Sequence, residues 1–319
     1  MKPSRLLILL LATATLVPQA LAQSWPQKPV RLLVSFPAGA PGDMIARLIQ
    51  PELQKSLGQP VIVDNKPGAG GNIGAQEVAR STDGHTFLVG PDTMLTINPH
   101  LYKKLSFKPA EDLVLLTQLA SFNQMLVCHP SVGVKSVSEL LAKARDQKMD
   151  YASGGPGVPG HMAMEMLLAM SNVKMNHIPY RGPAPATQDV LAAQVPCGFL
   201  AAPVVGPHAK AGKLSALAVS GIKRSPGSQG VPTMVEAGVR GFDASFFEIL
   251  AAPRGMPVEA MDRMQKAVVS ALQQPEIRVR MLAADLEPVA NTPAEASARM
   301  RADNEKWGRL AGQVGLQLD

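Results

Sequence analysis

Beyond residue 25, short apolar runs alternate with stretches in which apolar residues recur every three or four positions. The runs predict strands and the longer spacing predicts amphipathic helices, so the alternation as a whole predicts an α/β fold with mostly parallel sheets. A strand over 30–35 leads through the Gly/Pro-rich turn 36–42 into a helix carrying Ile45, Leu48, Ile49, Leu53 and Leu57 on one side. Asp43 is placed to cap that helix, and Pro51, inside it, must kink or split it. A strand over 61–63, a Gly-rich turn at 68–72, a helix over 73–80 and a strand over 86–90 complete a first series, and an extended stretch over 113–128 follows.

A second series then begins: helix 138–146, strand 149–153, helix 161–170, strand 174–179, helix 185–193, and strands 195–200 and 214–220. After the Pro/Gly/Ser-rich segment 225–232, a strand over 246–252 precedes helices that run to the C-terminus. The chain thus leaves one series and comes back to it. That predicts two lobes joined by crossing segments, with 23–124 and 225–319 forming the first and 125–224 the second. Three Gly-rich strand-to-helix turns, at 36–43, 68–72 and 154–160, point helix starts towards the gap between lobes. Unpaired N–H groups and the helix dipole favour an anion there, and glycine permits close backbone approach. Any one of these turns is equally a plain tight turn; the three together favour an anion cleft.

The N-terminus alters the choice of compartment. Lys2 and Arg5, an apolar core over 6–17 and the small-x-small sequence Ala20-Leu21-Ala22 form a secretory leader, too short to span a bilayer, with cleavage after Ala22 into a periplasm. Losing Lys2 and Arg5 lowers the formal charge from +6 to +4, and no basic run remains to hold nucleic acid. Aromatics are only 4%, too few for a ring-stacking carbohydrate or single-strand platform. Cys128 and Cys197 both lie in apolar, strand-like runs; a disulfide and two buried thiols are both consistent with that placement.

Enzymatic motifs fare poorly. Gly155 to Gly160 spells GxGxxG between a strand and a helix, but its prolines stiffen the turn and no acid ends the next strand. Ser171-x-x-Lys174 and Ser220-x-x-Lys223 lack the partner motifs of serine acyl-enzymes, and GxSxG is absent. The six histidines have no metal-ligand spacing, and Met162, Met164 and Met166 read as core packing. No cofactor, metal or catalytic residue is expected.

Several ordered segments resemble the Bug family, extracytoplasmic receptors of tripartite tricarboxylate transporters. They are Trp25-Pro26-x-x-Pro29-Val30, Phe36-Pro37-Ala38-Gly39-Ala40-Pro41-Gly42-Asp43, the run from Val63 through Asn65-Lys66-Pro67-Gly68 to Ala75, Ile97-Asn98-Pro99, Ile178-Pro179-Tyr180-Arg181-Gly182, Ala211-Gly212-Lys213-Leu214 and Val231-Pro232-Thr233 with Glu236-Ala237-Gly238. The resemblance implies a type II periplasmic-binding-protein-like fold that closes by a hinge on a small organic acid and delivers it to membrane permease subunits. Family ligands include amino-acid, di- and tricarboxylic and aromatic acids, and the receptor is expected to be a monomer. Carried over, it places Phe36, Pro37, Ala38, Gly39, Ala40 and Asp43 on the first lobe, facing Ser153, Gly154, Gly157, His161, Tyr180 and Gly182. Asp92 and Thr93 reach in from the loop after the third strand. The amides of Ala38 to Ala40 would hold the carboxylate and the Phe36 ring would wall the cleft, while Asp43 caps its helix and Asp189 fixes the second lobe or meets a ligand amino group. Val158, Pro159 and Gly160 stand where the family carries hydroxyls, Pro196 where an Asp is common, and Phe246-Phe247 in a usual Trp region. Those departures predict a less polar second lobe and an acid with an apolar or aromatic tail rather than a citrate-like polyacid. A sensor that presents its closed form to a periplasmic signalling domain is the alternative use of the same binding event.

Overall fold

The computed structural model describes residues 25–318; the leader and its cleavage site lie outside that range. Among the described residues the chain builds two sheets. In the first, β1 (Val30–Val34) is followed by α1 (Pro41–Leu57), β2 (Val61–Asn65), α2 (Asn72–Ala79) and β3 (Thr86–Pro91). Three single turns, α3 (Thr93–Thr96), α4 (Asn98–Leu101) and α5 (Pro109–Asp112), lead to β4 (Leu113–Phe122). The second series comprises β5 (Gln124–Cys128), α6 (Val137–Asp146), β6 (Asp150–Ser153), α7 (Pro159–Ser171), β7 (Asn176–Pro179), α8 (Pro183–Leu191), β8 (Cys197–Ala201), α9 (Ala202–Lys210) and β9 (Ser215–Val219). The chain then returns with β10 (Phe246–Pro253), α10 (Val258–Gln273), α11 (Pro275–Ala283), β11 (Leu286–Pro288) and α12 (Pro293–Val314).

The strand orders are β11-β4-β10-β3-β1-β2 and β7-β6-β8-β5-β9. The two-lobed α/β architecture stands, but the sheets are mixed rather than mostly parallel. β1 runs parallel to β2 and β3, and β6 parallel to β7 and β8. The strands next to the crossings, β4, β5 and β10, pair antiparallel: β5 and β10 enter their sheets from the opposite lobe, and β4 leaves the first sheet towards the second. The stretch expected as one extended segment over 113–128 is two strands in different sheets, with Asn123 alone between Phe122 and Gln124. The Asn123 side chain donates to the Lys223 carbonyl at 3.1 Å and to Ser225 Oγ at 2.9 Å, so the outgoing and returning segments are tied side by side. Past residue 225 the chain stays with the second sheet for a few residues, since Thr233 bridges Val219 in parallel.

Central strands are apolar on both faces because helices cover both. Val30, Leu32, Leu33 and Val34 are buried, as are all eight residues of β10. α1 starts with Pro41 at its first turn and stops at Gly58, which takes the left-handed conformation (φ 70°) and returns its N–H to the Gln54 carbonyl. Pro51 neither ends nor splits α1: the helix is continuous and the ring sits on its exposed side, where the lost hydrogen bond is open to water. α9 is a helix the sequence pattern did not predict, and it carries Pro203 and Pro207. One of them occupies the first turn, where no N–H is needed.

Candidate functional site

The lobes face each other across a narrow cleft floored by the starts of α1 and α7. Phe36, Ala40, Pro41, Pro91, Phe122 and Glu248 line it from the first lobe. Gln124, Gly154, Val158, Pro159, Gly160, Pro183, Phe199, Leu200 and Ala201 line it from the second. An outer, open hollow adjoins it, lined by Phe36, Pro37 and the 67–71 turn on one side and by Gly154 to Pro156, Tyr180 and Gly182 on the other. The three Gly-rich turns therefore do converge. Glycines let the lobes touch: a methyl group on Gly182 (φ 115°), in the turn after β7, would lie 2.9 Å from Pro37 Cγ, and one on Gly70 (φ 62°) 3.2 Å from the Pro156 carbonyl.

The first turn uses much of its own hydrogen-bonding capacity. The Gly39 amide donates to Asp43 Oδ2 at 2.9 Å, and the Ala40 amide to the Pro37 carbonyl at 3.2 Å. Asp43 is the third residue of α1 rather than its N-cap, which is Ala40. Its carboxylate also accepts from Arg47 Nε at 2.9 Å and Asn65 Nδ2 at 3.0 Å. Burial works against its charge, but the Arg47 guanidinium, the Gly39 amide and Asn65 outweigh burial and hold its pKa below the usual range. Asp43 thus binds the turn together and lines neither hollow.

The second turn is held by a stack of rings. His161 and His177 lie 4.1 Å apart with Tyr151 stacked 4.9 Å from His177. The Gly157 amide donates to His161 Nδ1 at 3.1 Å, the Gly155 amide donates to Ser153 Oγ at 3.2 Å, and that oxygen lies 2.7 Å from His177 Nε2. Burial, reinforced by His177, drives the His161 pKa down to about 3, and burial takes His177 to about 4, so both rings are neutral at neutral pH. A serine beside an imidazole invites a nucleophile reading, but Ser153 has no exposed surface and its oxygen is occupied by the turn.

The expected residues divide accordingly. Phe36, Pro37, Ala40, Gly154, Tyr180 and Gly182 line the cleft or its outer hollow. Ala38 and Gly39 are exposed at the edge, and Ser153, Gly157 and His161 brace the second turn from behind. Asp189 accepts the Tyr180 hydroxyl at 2.6 Å and so orients a wall residue. Asp92 and Thr93 are fully buried and line neither hollow; Asp92 accepts the Phe247 amide at 3.2 Å. Burial, with the negative charge of Asp303, raises the Asp92 pKa to about 8.

Two polar residues of the cleft escaped the sequence reading. Glu248 sits in the middle of β10 and is 2% exposed, and Gln124 is the first residue of β5 and 3% exposed. The usable signal was a lone acid inside the apolar run 246–252, where burial without a partner is costly.

Residues 45–316 match the model of the tripartite tricarboxylate transporter family receptor. The chain is 31% identical over 312 residues to protein BugT of Bordetella pertussis, covering 97% of this chain and 96% of that one. Its fold is similar to a Rhodopseudomonas palustris protein solved with adipate (TM-score 0.88, 31% identity, 92% of this chain and 99% of that one). It is also similar to MatC of the same organism, solved with bound malate (TM-score 0.84, 28% identity, 90% and 99%). These relatives are substrate-binding receptors rather than enzymes. Receptors of this family are extracytoplasmic, and among the described residues no helix is long and apolar enough to cross a membrane. With a cleft enclosed by two lobes and a match that runs through both, the chain belongs to the tripartite tricarboxylate transporter receptor family, the family of the Bug proteins.

Proposed function

We propose that this chain captures a small organic carboxylate by hinge closure in the periplasm and delivers it to the permease subunits of a tripartite tricarboxylate-type transporter. The reading rests on the cleft, which both lobes line and which lies where their Gly-rich turns meet. Adipate and malate in two relatives support the ligand class. The lobes divide near Asn123 and again between Ser220 and Phe246, where both crossing segments lie side by side as a hinge requires. Exported by its leader and cut after Ala22, the receptor acts as a monomer.

Carboxylate recognition falls to the amides that the turns leave open. Those at the start of α7, Gly160 and His161, have no helical carbonyl to meet, and the partial positive charge there favours an anion. The walls around them are apolar: Phe36, Phe122, Phe199 and Leu200 give an alkyl or aromatic body a dry surface. Such a lining disfavours citrate-like polyacids, whose extra carboxylates would be desolvated without partners.

A thermal-shift screen of the mature protein against a carboxylate library tests this. A true ligand at about 100 times its Kd adds about 2.7 kcal/mol of stability. A flat response to every acid from a folded protein overturns the reading.

A further inference from the structure

We infer that Glu248 makes this cleft selective for acids that also carry an amino group, with the ammonium end seated on Glu248 and the carboxylate end on Gln124 and the first turn of α7. The inference rests on the carboxylate-receptor reading above and sharpens its ligand class.

Glu248 is the one charged residue of β10, and it lines the cleft with 2% of its surface exposed. Its Oε2 is buried without a hydrogen-bond partner. The Gly42 amide, in the first turn of α1, donates to the carboxyl. Gly42 also makes room for the group, since a methyl there would lie 2.8 Å from Oε2. The anion seat that α1 offers is therefore already filled from within the chain. Asp92, at the end of β3, adds a second acid, and the cations near it, Arg299 and Lys306, are both ion-paired with Asp303. The first-lobe wall thus presents a carboxyl with no cation of its own.

The opposite wall has the reverse character. Gln124 makes no hydrogen bond through its side-chain amide within the described chain, and it stands beside Gly160, where a methyl would lie 3.1 Å from its Oε1. A ligand carboxylate fits that wall through the Gln124 NH₂ and the open amides of α7. Burial and Asp92 raise the Glu248 pKa well above its ordinary value because no cation balances its charge. A second ligand carboxylate there would raise it further rather than relieve it. An ammonium there supplies the missing cation, favours the ionised carboxylate, and fills the empty acceptor with a charge-assisted hydrogen bond.

The test is calorimetry on the mature protein with straight-chain acids of four to eight carbons whose far end is methyl, amino or carboxylate. At the preferred length the amino member is expected to bind at least tenfold tighter than the other two. Glu248→Gln keeps an acceptor for Gly42 but loses the charge; it should lower the amino member to the level of the methyl member and leave the methyl member within twofold. Glu248→Met, of similar volume, should bind the methyl member at least as well as the parent and serves as a folding control. A methyl or dicarboxylate member that binds tightest, or an amino-to-methyl ratio unchanged in Glu248→Gln, overturns the inference and leaves the receptor reading intact. Absence of binding by every acid overturns both.

Discussion

The Asp43 carboxylate accepts the amide of Gly39, four residues earlier, at 2.9 Å, and so closes the first strand-to-helix turn upon itself. The same carboxylate holds Arg47 and Asn65, and Asn65 in turn donates to the Phe36 carbonyl at 2.9 Å. The position of the Phe36 ring at the cleft wall is therefore set by a network centred on a residue outside the cleft. Asp43→Ala leaves the Gly39 amide and Asn65 without their acceptor. A loss of about 1–3 kcal/mol in urea unfolding is expected, with weaker ligand binding. Unchanged stability would show that the turn holds without the carboxylate.

Closure depends on Gly182. It adopts φ 115°, and any side chain there meets the Pro37 ring on the opposite lobe. Gly182→Ala is expected to weaken ligand affinity at least tenfold and to leave a larger radius of gyration with saturating ligand in small-angle scattering. Parent-like affinity and compaction would mean that the lobes close without this contact.

The ring stack predicts acid sensitivity. His161 and His177 have folded pKa values of about 3 and about 4, below an unfolded value of about 6.5. Between those limits the unfolded chain binds protons that the folded chain refuses, so stability rises with pH there. It is fully present above about pH 6.5 and drains away as pH falls towards 4. His161→Gln, which keeps a polar group near the Gly157 amide, should flatten that acid limb in a series of unfolding curves. An unaltered slope would place the acid sensitivity elsewhere.

Much of this architecture could be read in the chain. The period-two and period-3.6 patterns located most strands and long helices, and the two αβ series foretold two lobes. Where reading failed, one local feature concealed a tertiary fact. Asn123 is a single residue between β4 and β5, so an uninterrupted extended run gave no sign that it changes sheets. α9 carries Pro203 in its first turn and Pro207 in its interior, so its pattern does not announce a helix. Glu248 was hidden because an acid in an apolar strand has meaning only once the strand is known to pass beneath the cleft. Asp43 was recognised as a structural carboxylate, but its particular partner, the amide expected to hold ligand, depends on the backbone path of residues 36–42.

The two thiols offer a last test. Cys128 and Cys197 face each other in register across β5 and β8, both buried and unbonded. The neighbouring pair exchanges the ladder bond, from the His129 amide to the Pro196 carbonyl at 2.9 Å, which makes the cysteines a non-hydrogen-bonded pair. Such pairs bring Cα atoms to about 4.5 Å, inside the roughly 4.4–6.8 Å that a disulfide spans. Proximity to Cys197 and burial both push the Cys128 thiol pKa up, and both sulfurs are buried away from any oxidant in the folded protein. Oxidation must therefore precede strand closure. Folded, reduced protein is expected to resist mild oxidants for hours, whereas refolding in an oxidising glutathione buffer should give a product two hydrogens lighter by mass spectrometry. That product should be more stable by about 2–4 kcal/mol than the reduced form. Rapid oxidation of the folded protein, or two free thiols after oxidative refolding, would overturn the order of events.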